Sequence, residues 1–287
     1  MLTVIKVVFS AVLFLVGFSS LAADNLKMFE TPLEQVSWKY SGNVFSCEIS
    51  HKVKNFGKVA LLALPGQNLT LNVYADNVQF NDLIVEASVV VPSWAAAQTG
   101  RVSRFAGNSH HAETSNNSDM FLRALSQGHK WLIKVFDADE TPLYQVRAAA
   151  VLTQALAGKF KQCQQQLLPQ PFEYVRKLDF FFPVGSDYLD PLQLEDIRAV
   201  AAYVAADRRI AQVLVDGHSD AQGEHLNNLR LSRDRADEVV ARLLEFGVER
   251  RKIEVRHHGE RYPQATNNSP LGKEANRRVQ LRLVMAI

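Results

Sequence analysis

Short apolar runs dominate the first half of the chain and predict β-strands. They occupy residues 59–64, 69–74, 83–91, 131–136 and 143–149, and the turn-forming pairs Pro65-Gly66, Asp76-Asn77 and Pro92-Ser93 lie between them. The last two runs flank DADETP at 137–142, which predicts a hairpin. A helical pattern over about 151–167 follows. The first half is therefore expected to be a small antiparallel β domain.

One polar stretch interrupts this pattern. The sequence GNSHHAETSNNSD at 107–119 contains few apolar residues and predicts a mobile loop. His110 and His111 lie within it and are expected to be solvated.

Strand and helix patterns alternate in the second half, beyond Pro169 and Pro171. Strands are predicted at 175–182, 210–215, 253–256 and 279–284. A first helix begins at Asp190-Pro191, with Asp190 as N-cap and Gln193 placed for a capping box. A second helix has its apolar stripe between 229 and 244 and ends at Gly247. This alternation predicts a compact α/β domain with a mixed sheet and helices on one face.

The first 22 residues predict a signal peptide. Lys6 precedes an apolar core from Val7 to Phe18, and Ser20 and Ala22 give the small-x-small pattern of a cleavage site. An uncleaved anchor is the alternative, although the core is short for a membrane span. No cysteine lies near the cleavage site, which excludes lipoprotein acylation. We therefore predict an exported chain with no membrane span after cleavage, divided into a β-rich domain at 23–168 and an α/β domain at 169–287.

Composition adds one restriction. The 287 residues are 47% hydrophobic and 22% charged, with a formal net charge of +2. This balance gives no overall field that would recruit nucleic acid or acidic lipid, so any anion binding must be local.

The two cysteines, Cys47 and Cys163, have only one possible intramolecular pairing. In an oxidising compartment a single disulfide is the simplest prediction. Two buried thiols or an intermolecular link are the alternatives.

Candidate binding chemistry follows the predicted strand at 210–215. Asp220 lies in a turn with Gly217 and Gly223, and Arg235 lies in the first turns of the next helix. The two could form a structural salt bridge, which spacing alone slightly favours. They could instead bind a zwitterion, since a carboxylate accepts from an ammonium and a guanidinium binds a carboxylate in bidentate fashion.

A family resemblance makes this region more specific. The successive sequences GHSDAQG, NNLRLSRDRA, GVERRKIEVRHHGERYP and NNSPLGKEANRRVQLRL resemble the OmpA-like peptidoglycan-binding domain in order and spacing. LDFFFPVGSDYL at 178–189 is similar to that family's opening strand. The resemblance implies an OmpA-like α/β fold that binds the meso-diaminopimelate of the peptidoglycan stem peptide.

The resemblance also implies roles for individual residues. Asp220 matches the family's ammonium-binding acid, Arg235 its carboxylate-binding arginine, and Asn228 a hydrogen-bonding residue of the pocket. Arg277 and Arg278 occupy the two arginines of the N-R-R-V motif, one of which closes the pocket. Leu231 and Ser232 complete the N-x-x-L-S motif through backbone groups and a turn.

Two positions depart from the family pattern. His257 replaces the first glycine of G-x-G-E, and Lys273 replaces the arginine of G-R-x-x-N. Lysine keeps the charge but loses the planar guanidinium. Neither position is expected to contact ligand.

The first half is similar to the MotY family of sodium-driven flagellar motor proteins. The similarity rests on WKYSGNVFSCEISHKVKNFGKVAL, which contains Cys47, and FKQCQQQLLPQPFEYV, which contains Cys163. It implies a periplasmic location in the T ring of the flagellar basal body. The implied partners are a MotX-like protein, the basal body and the stator complex.

Two other functions compete with this one. An enzyme would use His218, Asp220, His225, His257 and His258 as a metal site, or Ser219 in a triad. The histidines lack H-x-x-x-H or H-E-x-x-H spacing and Ser219 lacks a nucleophile elbow, so we expect no catalysis, metal or cofactor. The second competitor is an OmpA-like peptidoglycan anchor of another, non-flagellar envelope complex.

Overall fold

The computed structural model describes residues 26–91 and 101–286. The predicted signal peptide and the predicted turn at Pro92-Ser93 lie outside these residues. Two separate hydrophobic cores form, one from residues 29–163 and one from residues 168–281. This confirms a two-domain fold, while the boundary between 168 and 169 stays a prediction.

The first domain is one ten-stranded sheet with two helices. Its strands are β1 (Lys27–Glu30), β2 (Trp38–Asn43), β3 (Ser46–Val53), β4 (Gly57–Ala63), β5 (Thr70–Ala75), β6 (Ile84–Val90), β7 (Ser103–Asn108), β8 (His111–Thr114), β9 (Lys130–Phe136) and β10 (Pro142–Ala148). The helices are α1 (Ser118–Gln127) and α2 (Gln154–Gln164). The strand order is β1-β10-β9-β6-β7-β8-β5-β4-β3-β2. The predicted β9–β10 hairpin is confirmed, and only the edge pair β1–β10 is parallel.

Alternation of side chains explains how this sheet forms a core. In β3, Cys47, Ile49, His51 and Val53 are buried, while the residues that alternate with them are partly or fully exposed. The buried face packs around Trp131, whose ring meets the edge of Trp38 at a centroid distance of 4.8 Å.

The prediction of a mobile loop at 107–119 is wrong. This stretch contains the end of β7, all of β8 and the start of α1. Asn81 Oδ1 accepts from the Ser109 backbone N–H at 2.7 Å, and Ser109 takes a positive φ of 50° at the turn. His110 is exposed, as expected, and His111 stays partly exposed although it stacks on Tyr74 at 4.4 Å and hydrogen-bonds Asn72 at 2.8 Å. Low hydrophobicity misled the prediction, since these polar residues are held by hydrogen bonds to the sheet.

The predicted disulfide is confirmed. Cys47 in β3 is bonded to Cys163 in α2, with the two Cα atoms 6.0 Å apart. The bond fastens the helix at the end of the first domain to one of its first strands.

The second domain is a four-stranded mixed sheet with helices on one face, as predicted. Its elements are α3 (Phe172–Val175), β11 (Lys177–Phe181), α4 (Pro191–Ala206), β12 (Ile210–Gly217), α5 (His225–Glu245), β13 (Ile253–His257), α6 (Pro270–Asn276) and β14 (Arg278–Met285). The order is β11-β14-β12-β13, with β12 and β13 parallel and the other pairs antiparallel. The predicted capping box joins Asp190 and Gln193 at the start of α4.

Gly217 determines how closely the end of β12 approaches α5. A Cβ at this position would collide with the carbonyl oxygen of Ser232 in α5. Glycine therefore lets the strand end lie directly against the helix. The turn that follows β12, including Asp220, is thereby placed beside the first turns of α5.

Candidate functional site

A cleft of about 300 Å³ lies where the end of β12, the start of α5, the 183–186 loop and the residue before β14 meet. Asp220, Asn228 and Arg277 line it, and Val184 and Gly185 form one wall. The structure therefore brings three of the five predicted binding residues into one cavity.

Asp220 forms an ion pair with Arg277 rather than with Arg235. Its Oδ2 atom accepts from Arg277 Nη1 at 3.1 Å, and its Oδ1 accepts from the Gln222 backbone N–H at 3.2 Å. Arg277 also donates from Nε to the Phe182 carbonyl at 3.1 Å. Within the described residues, no ion pair within 4.0 Å joins Asp220 to Arg235. The salt bridge that spacing favoured is therefore replaced by the Asp220–Arg277 pair.

Arg235 lies beneath the cleft and does not line it. Its side chain is fully buried, and Nε, Nη1 and Nη2 donate to the carbonyls of Ser186, His218 and Pro183 at 2.8, 3.3 and 3.0 Å. Burial, with a smaller contribution from the nearby Arg277 charge, lowers the Arg235 pKa to about 10, so the guanidinium remains charged at neutral pH. Arg235 thus fixes the loop that forms the cleft wall.

Asn228 is oriented by a carboxylate outside the predicted set. Its Nδ2 donates to Glu260 Oε2 at 2.6 Å, and Glu260 Oε1 lies 3.1 Å from His225 Nδ1. The hydrogen bonds from Asn228 and His225 lower the Glu260 pKa. Because its amide nitrogen faces Glu260, Asn228 has its amide oxygen left as the acceptor that a ligand cation requires.

Arg278 belongs to a different cluster, on the sheet face opposite the helices. Its Nη2 donates weakly to the Tyr262 carbonyl at 3.4 Å, and its Nε and Nη1 find no hydrogen-bond partner among the described residues. Nearby, Asp216 pairs with His258 at 3.0 Å and with Arg282 at 2.9 Å. Arg278 therefore does not line the cleft.

The motif residue Ser232 joins the site to the neighbouring loop. Its Oγ donates to the Leu229 carbonyl at 2.8 Å and accepts from the Gly259 N–H at 3.0 Å. Gly259 takes a positive φ of 56° at the point where this loop contacts the helix. His257, at the first departure from the family pattern, is an exposed residue at the end of β13.

Several residues that line the cleft were not predicted as binding residues. The helical spacing of some of them could have identified them. Gln222, Asn227, Arg230, Leu231 and Asp234 also line it. Asn227, Arg230, Leu231 and Asp234 recur at intervals of three and four residues, which places them on one face of a helix.

The described residues contain no group of three or more histidine, cysteine, aspartate or glutamate side chains arranged to hold a metal ion. Nor does any helix in the described ranges have the length and hydrophobicity needed to cross a bilayer.

Comparison with known families agrees with this division of the chain. Residues 29–169 match the MotY N-terminal domain, and residues 181–277 match the OmpA family. The chain is also 32% identical to the outer-membrane lipoprotein YfiB of Pseudomonas aeruginosa, over 40% of its own length and 68% of that protein. The chain belongs to the OmpA family, with a MotY N-terminal domain before its OmpA domain.

Two other similarities cover different shares of the relatives. The chain is 29% identical to the sodium-type flagellar protein MotY of Vibrio parahaemolyticus over 48% of its own length, and spans 47% of that protein. The C-terminal domain of Helicobacter pylori MotB is 22% identical with a TM-score of 0.35, covering 38% of this chain and 84% of that structure. The chain thus spans about half the length of its MotY relative.

Proposed function

We propose that this protein is a periplasmic component of the flagellar basal body that anchors to peptidoglycan through its OmpA domain. In this proposal it belongs to the T ring and helps to assemble or hold stator units around a sodium-driven motor. The observation that supports it most is the cleft of opposed charges, Asp220 and Arg277, in an OmpA domain that follows a MotY N-terminal domain.

The cleft suits an amino acid that carries an ammonium and a carboxylate together. The Asp220 carboxylate and the Asn228 amide oxygen accept from the ammonium of diaminopimelate. Arg277 donates to its carboxylate, because only its Nε and one Nη1 hydrogen bond are used within the protein. Arg235 contributes from below by fixing the wall of the cleft and adding positive charge. The carboxylate of Asp220 and the guanidinium of Arg277, which pair with each other in the structure, would thereby each bind the oppositely charged group of the ligand.

The MotY N-terminal domain supplies the other attachment. We assign it to contacts with a MotX-like protein and the basal body, so that the two domains connect the motor to the wall. The disulfide between Cys47 and Cys163 would keep this domain cross-linked in an oxidising periplasm.

Binding to the wall is tested by co-sedimentation with purified peptidoglycan and by titration with muropeptides. Asp220→Asn and Arg277→Gln should each weaken binding of a diaminopimelate muropeptide by about 10-fold or more, because each removes a charge-assisted hydrogen bond. Arg233→Gln, on the exposed face of α5, is the matched control and should bind as the wild type does. Equal binding by all four proteins would contradict the assignment of the cleft.

The flagellar role is tested separately, by deletion of the gene. We expect cells that assemble filaments but do not swim. The alternative is an anchor for another envelope complex, and the similarity of part of the chain to YfiB is compatible with it. Normal swimming by cells whose protein still binds the wall would favour that alternative.

A further inference from the structure

Two opposite charges on α5 are exposed at the cleft without being paired. Arg230 and Asp234 both line the cleft together with Asp220 and Arg277. Across the described parts of the chain, neither Arg230 nor Asp234 takes part in an ion pair within 4.0 Å or in a side-chain hydrogen bond. Their charges are therefore available to a ligand.

The same helix provides a matched comparison. Arg233 and Asp237 have the same residue types and the same spacing, and they form an ion pair at 3.4 Å. Arginine and aspartate four residues apart on a helix normally attract each other. Helix geometry therefore does not account for the separation of Arg230 from Asp234. Arg230 and Asp234 differ from Arg233 and Asp237 in that they line the cleft.

Arg235 and Arg277 already use several of their N–H donors within the protein, and Arg277 keeps its Nη2 donors for the carboxylate of the zwitterionic group. Arg235 is buried and donates to three backbone carbonyls, while Arg277 donates to Asp220 and to the Phe182 carbonyl. Arg230 retains all its donors, in the planar arrangement that binds a carboxylate in bidentate fashion. The cleft thus has one guanidinium more than a single zwitterionic group needs.

We propose that Arg230 binds a second carboxylate of the ligand, separate from the carboxylate of the zwitterionic end that Arg277 binds. This inference rests on the proposed function, since the ligand is a peptide containing a diamino acid. Two carboxylates have the required chemistry: the free α-carboxylate of a γ-linked glutamate next to the diamino acid, and the backbone carboxylate of a diamino acid that ends its peptide. Arg230 would therefore determine which stem peptides bind best.

The experiment titrates the full exported chain with a disaccharide-tripeptide that ends in meso-diaminopimelate, by calorimetry. Arg230→Gln should weaken binding by about 3–10-fold, as expected for one exposed charge-assisted contact, and the loss should shrink at high salt. Arg230→Lys should recover part of the affinity, since it keeps the charge without the planar donors. Arg233→Gln is the control and should match the wild type.

Two amidated probes identify the carboxylate, one amidated at the glutamate and one at the backbone carboxylate of the diamino acid. Amidation of the group that Arg230 binds should weaken wild-type binding and abolish the difference between wild type and Arg230→Gln. If Arg230→Gln binds as well as Arg233→Gln, or if its loss is the same for the parent and both amidated probes, the proposal is overturned. If the wild type binds no probe, the proposed function fails and this inference fails with it.

Discussion

The two domains bury different kinds of polar group. Among the described residues, the buried polar side chains of the first domain are histidine, asparagine, glutamine, serine and threonine, with no aspartate, glutamate, lysine or arginine. The second domain buries the charged residues Asp207, Asp216, Asp220, Arg235 and Arg278. Burying an ion costs several kcal/mol unless partners compensate it.

This difference shows where each domain obtains its rigidity. The first domain relies on apolar packing and a covalent cross-link. The second holds its charges against backbone carbonyls and against each other, most clearly at Arg235. Charges fixed in this way keep the cleft in shape before a ligand arrives.

Loss of the cross-link should have the largest effect, and it should be confined to the first domain. Replacement of both Cys47 and Cys163 by serine should reduce its free energy of unfolding by about 4–5 kcal/mol, because the closed loop is long. All three tryptophans, at 38, 94 and 131, lie in the first half of the chain, so tryptophan fluorescence during urea unfolding measures this domain. Hydrogen exchange in α5 should not change, and equal loss of protection there would contradict a stabilising effect confined to the first domain.

Removal of the buried guanidinium is the corresponding test of the second domain. Arg235→Met should destabilise it by roughly 3–4 kcal/mol, because three buried carbonyls lose their donor. Hydrogen exchange of α5 and β12 measures this loss, while tryptophan fluorescence should be unaffected. Arg233→Met on the exposed face is the control, with an expected change within about 0.5 kcal/mol. A similarly small effect of Arg235→Met would show that its three hydrogen bonds contribute little.

Acidification should destabilise the second domain through His218. Burial, followed by the nearby Arg278 charge, lowers the pKa of this histidine from 6.5 to about 4. Between these values the unfolded chain binds a proton that the folded chain does not, so stability should fall as the pH drops from 6.5 towards 4 and should not change on this account above 6.5. We expect a loss that reaches about 3 kcal/mol by pH 4, measured by urea unfolding with hydrogen exchange of α5. His218→Gln should flatten this part of the profile, and an unchanged slope would exclude His218 as its source.

The smallest effect should come from the helix cap of α4. Asp190 Oδ1 accepts from the Gln193 backbone N–H at 2.9 Å, and Gln193 Oε1 accepts from the Asp190 backbone N–H at 2.9 Å. Asp190→Ala should reduce the stability of the second domain by about 1 kcal/mol. Hydrogen exchange in the first turn of α4 would detect it, and Asp190→Asn should restore most of the loss. Equal losses for both variants would indicate a charge effect instead of a cap.

Periodicity predicted most of the second domain because its elements are long and regularly patterned. The cap of α4, the glycine at the end of α5 and all four strands were predictable from local sequence. The short helix α6, at Pro270–Asn276, was missed because seven residues give too few turns for a periodic signal.

The polar elements of the first domain were harder to predict. The hairpin of β7 and β8 depends on contacts such as Tyr74 with His111, which are distant in sequence. Strand β2 was also missed, because WKYSGN buries only Trp38.

Sequence motifs identified candidate residues of the site but not their partners. Asp220 and Arg277 are 57 positions apart, and no local pattern links them. The burial of Arg235 was equally hidden, since it depends on carbonyls of a loop about 50 residues earlier in the chain. Three-dimensional packing therefore assigns Arg277 to the cleft and Arg235 to its support.

The position of the disulfide has a mechanical consequence. Cys163 lies near the end of α2, only a few residues before the chain enters the OmpA domain, and its bond leads directly into β3. If the OmpA domain binds the wall as proposed, tension applied through it would pass through this covalent link into β3, instead of detaching α2 from its C-terminal end. Strand β3 is hydrogen-bonded to β2 on one side and to β4 on the other, so two rows of hydrogen bonds resist the load together.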